Sequence, residues 1–267
     1  MSFTSMSGSE NVRKTLKQRL RDNEVTLGSW ITFGQPAVAE IMARAGFDWL
    51  TVDLEHSVIS IDVAGDLIRT IDLCGVAPLV RLTSNDPNQI KRVMDAGAHG
   101  IIVPMVNSPA EAARAVAATR YGPVGVRGVG LARAQGYGTS FPDYLKWQSD
   151  GPVVIVQVEH HEAAARLDEI LSVPGVDGFL IGPYDLSCSM GIPGQFTDPK
   201  FVEIMGQIRA TGQRLGRPAG LHIVEPDLQR LDEVIREGFT FIAYSVDMRV
   251  LDVGMRQGVA KVGEHRK

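Results

Sequence analysis

The chain has only two cysteines, Cys74 and Cys188, in 267 residues, and their spacing matches neither a metal-type nor a redox-type pair. A disulfide framework is excluded, a reducing compartment is expected, and both thiols read as core residues. No apolar run approaches the roughly 20 residues of a membrane span. The opening MSFTSMSGSE also lacks the basic and apolar regions of a signal peptide. The expectation is a soluble, cytoplasmic protein with no membrane partner. Positive charge is not in excess either, since the formal net charge is -4 and the charged residues are spread along the chain. Without a basic stripe, nucleic acid is excluded as a partner. No internal repeat or low-complexity stretch is visible, which sets repeat architectures aside.

What is present is apolar residue in quantity: 44% of the chain is hydrophobic, enough for one large α/β barrel or two small domains. Residues 1–9 are polar and are expected to be disordered. In 10–23, Val12, Leu16 and Leu20 fall on one helical face, so this segment reads as a capping helix. Eight β-type runs follow, at 26–33, 47–55, 77–82, 100–105, 152–159, 176–182, 218–223 and 239–246. Helical patterns separate them and a last one covers 247–262. That alternation requires parallel strands with helical crossovers, and eight units in about 250 residues fit a closed (β/α)₈ TIM barrel filling 10–267 as a single domain. An open doubly wound sheet is the alternative. The barrel is favoured because the strands are short and each ends in polar or special residues, rather than in one glycine-rich loop after the first strand.

The longest stretch without periodicity is 121–140, YGPVGVRGVGLARAQGYGTS, with Arg127, Arg133 and Tyr137. Its GxxGVG spacing is not a dinucleotide fingerprint, because it neither follows the first strand nor opens a helix. A connection this long is expected to serve the active site or an interface.

In a barrel the C-terminal strand ends converge on one face, where chemistry is built. The residues found there are Asp53, Glu55 and His56 after strand two and Arg81 after strand three. Strand five ends in Gln157, Glu159, His160 and His161, strand six in Gly182, Pro183 and then Asp185, and strand seven in His222. Glu159 and Asp185 follow adjacent strands and can share one cation, for which oxygen donors suit Mg²⁺ or Mn²⁺. The plainer reading is two carboxylates capping the helices that follow. His56, three residues after Asp53, reads either as a base oriented by that carboxylate or as a structural histidine. Arg81 reads either as an anion contact or as a salt bridge to Asp53 or Glu55. His160 and His161 open a helix, and no metal role is expected of them.

The segments GSWITFGQPAVAEIMARAGFDWLTVDLEHS, IKRVMDAGAHGIIVPMV, RYGPVGVRGVG and VEHHEAAARLDEILSVPGVDGFLIGPYDLSCSMG span nearly the whole chain. In order and spacing they resemble the metal-dependent pyruvate aldolases of the HpcH/HpaI type, the 4-hydroxy-2-oxoheptanedioate and 2-dehydro-3-deoxyglucarate aldolases. The resemblance implies a TIM barrel like those of the phosphoenolpyruvate/pyruvate superfamily. It also implies a divalent cation (Mg²⁺, Mn²⁺ or Co²⁺) held by Glu159 and Asp185. Arg81 would then contact the keto oxygen of pyruvate, and His56 would be the acid/base group with Asp53 orienting it. The backbone amides around Tyr184 and Asp185 would hold the pyruvate carboxylate, with Gly182 and Pro183 also at the substrate and Trp30 and Gln157 lining the pocket. Asp95 would reach a neighbouring subunit's active site, making the enzyme a homo-oligomer, trimer or hexamer. His222 stands where the family usually has an apolar residue, and either contacts a polar substrate or bonds to a backbone carbonyl.

The implied reaction is reversible cleavage of a 4-hydroxy-2-oxo acid to pyruvate and an aldehyde, both small molecules. No lysine ends strand six, which disfavours a Schiff-base route. The rivals are a citrate-lyase-like enzyme splitting a CoA thioester and a non-catalytic metabolite-binding barrel. CoA phosphates would call for a basic patch, for which Arg127 and Arg133 are thin support. A chain released from catalysis has no reason to keep His56, Arg81, Glu159 and Asp185 together.

Overall fold

The computed structural model describes residues 14–266. Within them eight strands close into one parallel barrel in chain order: β1 (Thr26–Ile31), β2 (Trp49–Asp53), β3 (Ala77–Arg81), β4 (Gly100–Val103), β5 (Val153–Val158), β6 (Gly178–Ile181), β7 (Ala219–Ile223) and β8 (Phe241–Val246). The helices are α1 (Leu16–Arg21), α2 (Pro36–Arg44), α3 (Ile61–Leu73), α4 (Pro87–Asp95), α5 (Pro109–Thr119), α6 (Phe141–Gln148), α7 (His161–Ala165), α8 (Leu167–Leu171), α9 (Pro183–Ser189), α10 (Pro199–Arg214), α11 (Leu228–Arg236) and α12 (Asp247–Gly263). All eight expected strands are present, each trimmed at one or both ends; at the C-terminal ends of β1, β2, β3, β4, β5 and β6 the residues released from the ladder line the mouth.

Local sequence fixes where the crossover helices start. Asp86, Ser108 and Asp198 accept hydrogen bonds from Asn88, Glu111 and Lys200, and proline follows each as the first helical residue. A short polar cap and a proline whose missing N–H would be unpaired anyway make a sharp helix entry.

Strand residues alternate between two cores. Leu50, Val52, Val80, Ile101, Val154, Val156 and Phe179 point outward and pack on the helices. Trp49, Leu79, Ile102, Ile155, Leu180 and Phe241 fill the barrel. Trp49 stacks on Phe241 at 4.2 Å between ring centroids, and its indole occupies the space that a side chain at Gly28 would need. With the interior packed solid, chemistry is confined to the rim.

The capping helix is realised as α1, opened by a Thr15/Gln18 capping box; Val12 and the expected disordered segment 1–9 lie outside the described residues. Leu16 and Leu20 plug the floor as part of the interior cluster. Lys17 is buried there because Asp177 (2.9 Å) and the Pro152 carbonyl (2.7 Å) satisfy its ammonium.

Two expectations are corrected. Cys74 and Cys188 are exposed rather than in the core, since Cys74 caps the end of α3 and Cys188 lies on the outer face of the short α9. The 121–140 connection is not at the active site of its own chain. It follows α5, which runs from the mouth back to the floor, and so joins α6 and β5 on the floor side. There Arg127 binds Asp95 (2.5 Å) and the Tyr144 hydroxyl (2.8 Å), while Arg133 binds Asp72.

Candidate active site

Strand alternation places Trp30, Asp53, Arg81, Gln157 and His222 on the inner side, one step above the packed interior. Parallel register sets Asp53 directly opposite Arg81. The guanidinium donates Nε to Oδ1 (2.9 Å) and Nη2 to Oδ2 (2.6 Å), a bidentate fork. Its third nitrogen lies 3.4 Å from Glu55 Oε2, and its plane sits 4.3 Å above the Trp30 ring. Three contacts on three sides hold Arg81 in one orientation, so the salt-bridge reading is the one realised.

The expected Asp53–His56 pairing is not made through the imidazole. Asp53 Oδ1 accepts the backbone N–H groups of Glu55 (3.0 Å) and His56 (3.3 Å), and the rest of the carboxylate belongs to Arg81. The nearest carboxylate to the His56 ring is Glu55, with Oε2 3.8 Å from Nε2. The His56 side chain is 68% exposed and stands over the mouth rather than inside it.

Glu55 was expected only as a possible salt-bridge partner of Arg81. Its side chain is largely buried, and Oε2 has no hydrogen-bond partner. Burial pushes its carboxyl up to about 7; Arg81 opposes this, and the charges of Glu159, Asp53 and Asp185 add to it. Glu159, just after β5, is 4% exposed and is also raised, mainly by burial. It accepts the Met105 N–H at 2.6 Å on Oε1 and the Gln157 amide on Oε2, while Asp185 adds repulsion. Met105 delivers that amide from a left-handed backbone (φ 51), uncommon for a residue with a side chain.

Gly182 caps the start of α9, and a Cβ there would lie 2.9 Å from Glu159 Cβ and 3.0 Å from Oε2. Pro183, Tyr184 and Asp185 form the first turn of α9, where N–H groups have no helical partner and favour an anion. The Tyr184 ring turns away onto Phe196 at 5.4 Å, leaving only its main chain for the site.

His222 donates Nε2–H to the Ser245 carbonyl (3.1 Å) and packs 5.5 Å from Trp30. Burial holds it neutral, down to about 4, so Nδ1 is a lone-pair acceptor. Of its two expected roles, the backbone bond is therefore made. Asp95 lies at the floor end of α4, bound to Arg127 and remote from its own mouth.

Arg81 thus pairs with Asp53 and Glu55, and Glu159 and Asp185 lie close enough for their charges to act on Glu55. Two of these four carboxylates hold protons more tightly than usual, and Glu55 Oε2 is buried without a hydrogen bond, 3.4 Å from the Arg81 guanidinium. That donor set fits a hard divalent cation, which would replace the missing positive charge. Among the described residues the one three-member grouping of metal-type donors is elsewhere, at His160, His161 and Glu162. It is a partly exposed helix start in which His160 caps the Glu162 N–H.

Residues 26–252 match the family described as HpcH/HpaI aldolase/citrate lyase. A curated relative, 4-hydroxy-2-oxo-heptane-1,7-dioate aldolase of Salmonella paratyphi C, is 38% identical over 261 residues, covering 94% of this chain and 95% of its own. Among solved structures, an HpcH/HpaI aldolase/citrate lyase family protein from Burkholderia cenocepacia superposes with a TM-score of 0.88 at 33% identity, covering 94% of this chain and 99% of the other. The HpcH/HpaI aldolase from Desulfitobacterium hafniense gives 0.85 at 28% identity, with coverage of 94% and 98%. These matches cover nearly the whole chain, which is a member of the HpcH/HpaI aldolase/citrate lyase family.

Proposed function

We propose that the protein catalyses reversible cleavage of a 4-hydroxy-2-oxo acid to pyruvate and an aldehyde, in dependence on a divalent cation. The observation that carries this reading is that Glu159 and Asp185 act on the buried Glu55, which with Asp53 flanks Arg81 at the mouth. Glu159 and Asp185 would hold the cation, Mg²⁺, Mn²⁺ or Co²⁺, with Glu55 beside them; when bound, it supplies Lewis-acid charge for the oxygen that becomes an enolate. Arg81 donates to that oxygen from a position fixed by Asp53, a preorganised donor whose loss typically costs about 3–4 kcal/mol. The first-turn amides of α9 orient the pyruvate carboxylate. His56 takes the C4 hydroxyl proton, and its exposed position leaves room for the aldehyde half. Trp30 and His222 form the wall behind Arg81, and Gln157 fixes Glu159.

The working unit is proposed to be a single-domain, cytoplasmic homo-oligomer, trimer or hexamer, with Asp95 at an interface. Among the described residues no helix is long and apolar enough to cross a membrane. Support for assembly comes from α12, which buries only Asp247 and exposes Val250, Leu251, Met255 and Val259. Beside it an apolar cavity of about 390 Å³ is lined by Phe33, Val38, Ile41, Met42, Val250 and Leu251. Apolar surface of this kind marks an interface. Incubation with Mn²⁺, pyruvate and a panel of short aldehydes tests the activity: new 4-hydroxy-2-oxo acids are expected, and none with any aldehyde, together with no cleavage of such acids, overturns the reading.

A further inference from the structure

The loops entering β5, β6 and β7 meet α1 around a second cavity, of about 330 Å³, at the floor of the barrel. Its wall carries Lys17, Arg21, Arg120 and Arg217 against only Asp150 and Asp177. Both carboxylates are already engaged. Asp177 takes the buried Lys17 ammonium at 2.9 Å and the Val154 N–H at 2.9 Å, and Asp150 takes Arg21 at 2.7 Å on each oxygen. Among the described residues neither remaining arginine has a carboxylate partner. Arg217 spends Nε on the Leu171 carbonyl (3.1 Å), leaving its two terminal nitrogens without a partner. Arg120 makes no side-chain hydrogen bond, and its Nε is buried without an acceptor. Asp150 and Asp177 feel its charge only at longer range.

Two half-buried guanidiniums facing one concavity repel each other and leave donors unsatisfied, a cost that an oxyanion removes. We propose that this pocket binds a phosphate-sized dianion, either free phosphate or the phosphoryl group of a small metabolite. The charge decides the class, since two unmatched positive charges balance one dianion. The geometry agrees, because two planar forks need at least three acceptor oxygens, which phosphate has and a single carboxylate lacks. The pocket volume leaves room for a short organic tail on the phosphoryl group. A bound dianion would tie α1, the end of α5 and the loops entering β6 and β7 together at the end of the barrel opposite the active site.

Calorimetric titration of the Mg²⁺-loaded protein with inorganic phosphate, and separately with glycerol 3-phosphate, tests this at constant ionic strength. Saturable binding at one site per chain is expected, with a rise in melting temperature that matched NaCl does not reproduce. Arg120→Gln and Arg217→Gln should each weaken binding about tenfold or more, the value of one charge-assisted contact. Both variants should keep wild-type melting and lyase activity in phosphate-free buffer. Tighter binding of glycerol 3-phosphate identifies the ligand as a metabolite's phosphoryl group, and tighter binding of phosphate identifies the free ion. No saturable binding of either overturns the proposal. So does binding that survives in both arginine variants but is lost in Asp185→Asn, which would place the anion at the mouth.

Discussion

Glu55→Gln isolates the electrostatic cost of the mouth. Burial and the neighbouring carboxylates lift the Glu55 carboxyl from 4.5 to about 7. For an acid raised on folding, the folded state is favoured while the group is protonated, and the benefit is lost as pH rises from the unfolded value through the folded one. Ionising Glu55 in the cation-free protein therefore costs on the order of 3 kcal/mol, or about 2–3 kcal/mol after some solvent screening. Glutamine resembles the protonated acid and avoids that cost. In chelator at pH 8.5 the variant should melt about 5–10 °C above wild type, at about 2–4 °C per kcal/mol for a chain of this size. At pH 5, where Glu55 is protonated in the folded state but partly ionised in the unfolded one, the gap should shrink to about 1 kcal/mol or less. Saturating Mg²⁺ at pH 8.5 should close the gap, since the cation compensates the carboxylate in the wild type. Thermal melts under these three conditions make the test. A gap of equal size at pH 5 and pH 8.5, or a variant that melts lower in chelator at pH 8.5, refutes the reasoning.

Other substitutions separate the remaining roles. Arg81→Lys should lower turnover by about 10²–10³ although charge is kept, because an ammonium cannot reproduce the fork on Asp53 and the stacking on Trp30; near-wild-type kcat would contradict the role. His56→Ala should reduce aldol cleavage by about 10²–10⁴ while sparing oxaloacetate decarboxylation, which needs the enolate but no hydroxyl deprotonation. Equal losses in both assays would place His56 at the pyruvate end instead. Gly182→Ala should weaken cation binding, measured by titration calorimetry, because its Cβ would press on Glu159 at 3.0 Å from Oε2; unchanged affinity would show that Glu159 has room to move.

The barrel was readable because its strands are buried on both faces and appear as short apolar runs between helical periods. Their ends were overestimated at residues such as Glu55 and Met105, where β-type composition continues after pairing stops. Arg81, Glu159 and Asp185 were recognisable as charges at strand ends. The Asp53 assignment failed because a three-residue spacing suggests a local pair, whereas parallel register sets Arg81 beside it. Glu55 stood only as a salt-bridge partner of Arg81, since its perturbation arises from burial in the closed barrel and then from the charges of Glu159, Asp53 and Asp185. The Met105 amide carries no side-chain signal at all, being a backbone donor aimed by a left-handed φ. Cys74 and Cys188 misled because composition says nothing about helix ends.

The central claim is that the rim of this barrel activates pyruvate with the help of a divalent cation held by Glu159 and Asp185. Exchange of the pyruvate methyl protons in D₂O, followed by NMR, reads enolate formation without needing the right aldehyde. The account predicts exchange with Mg²⁺ or Mn²⁺, abolished by chelation and in Arg81→Ala, and reduced in Glu159→Gln and Asp185→Asn in parallel with lost cation affinity. Undiminished exchange after exhaustive chelation, with no metal found by elemental analysis, would contradict it.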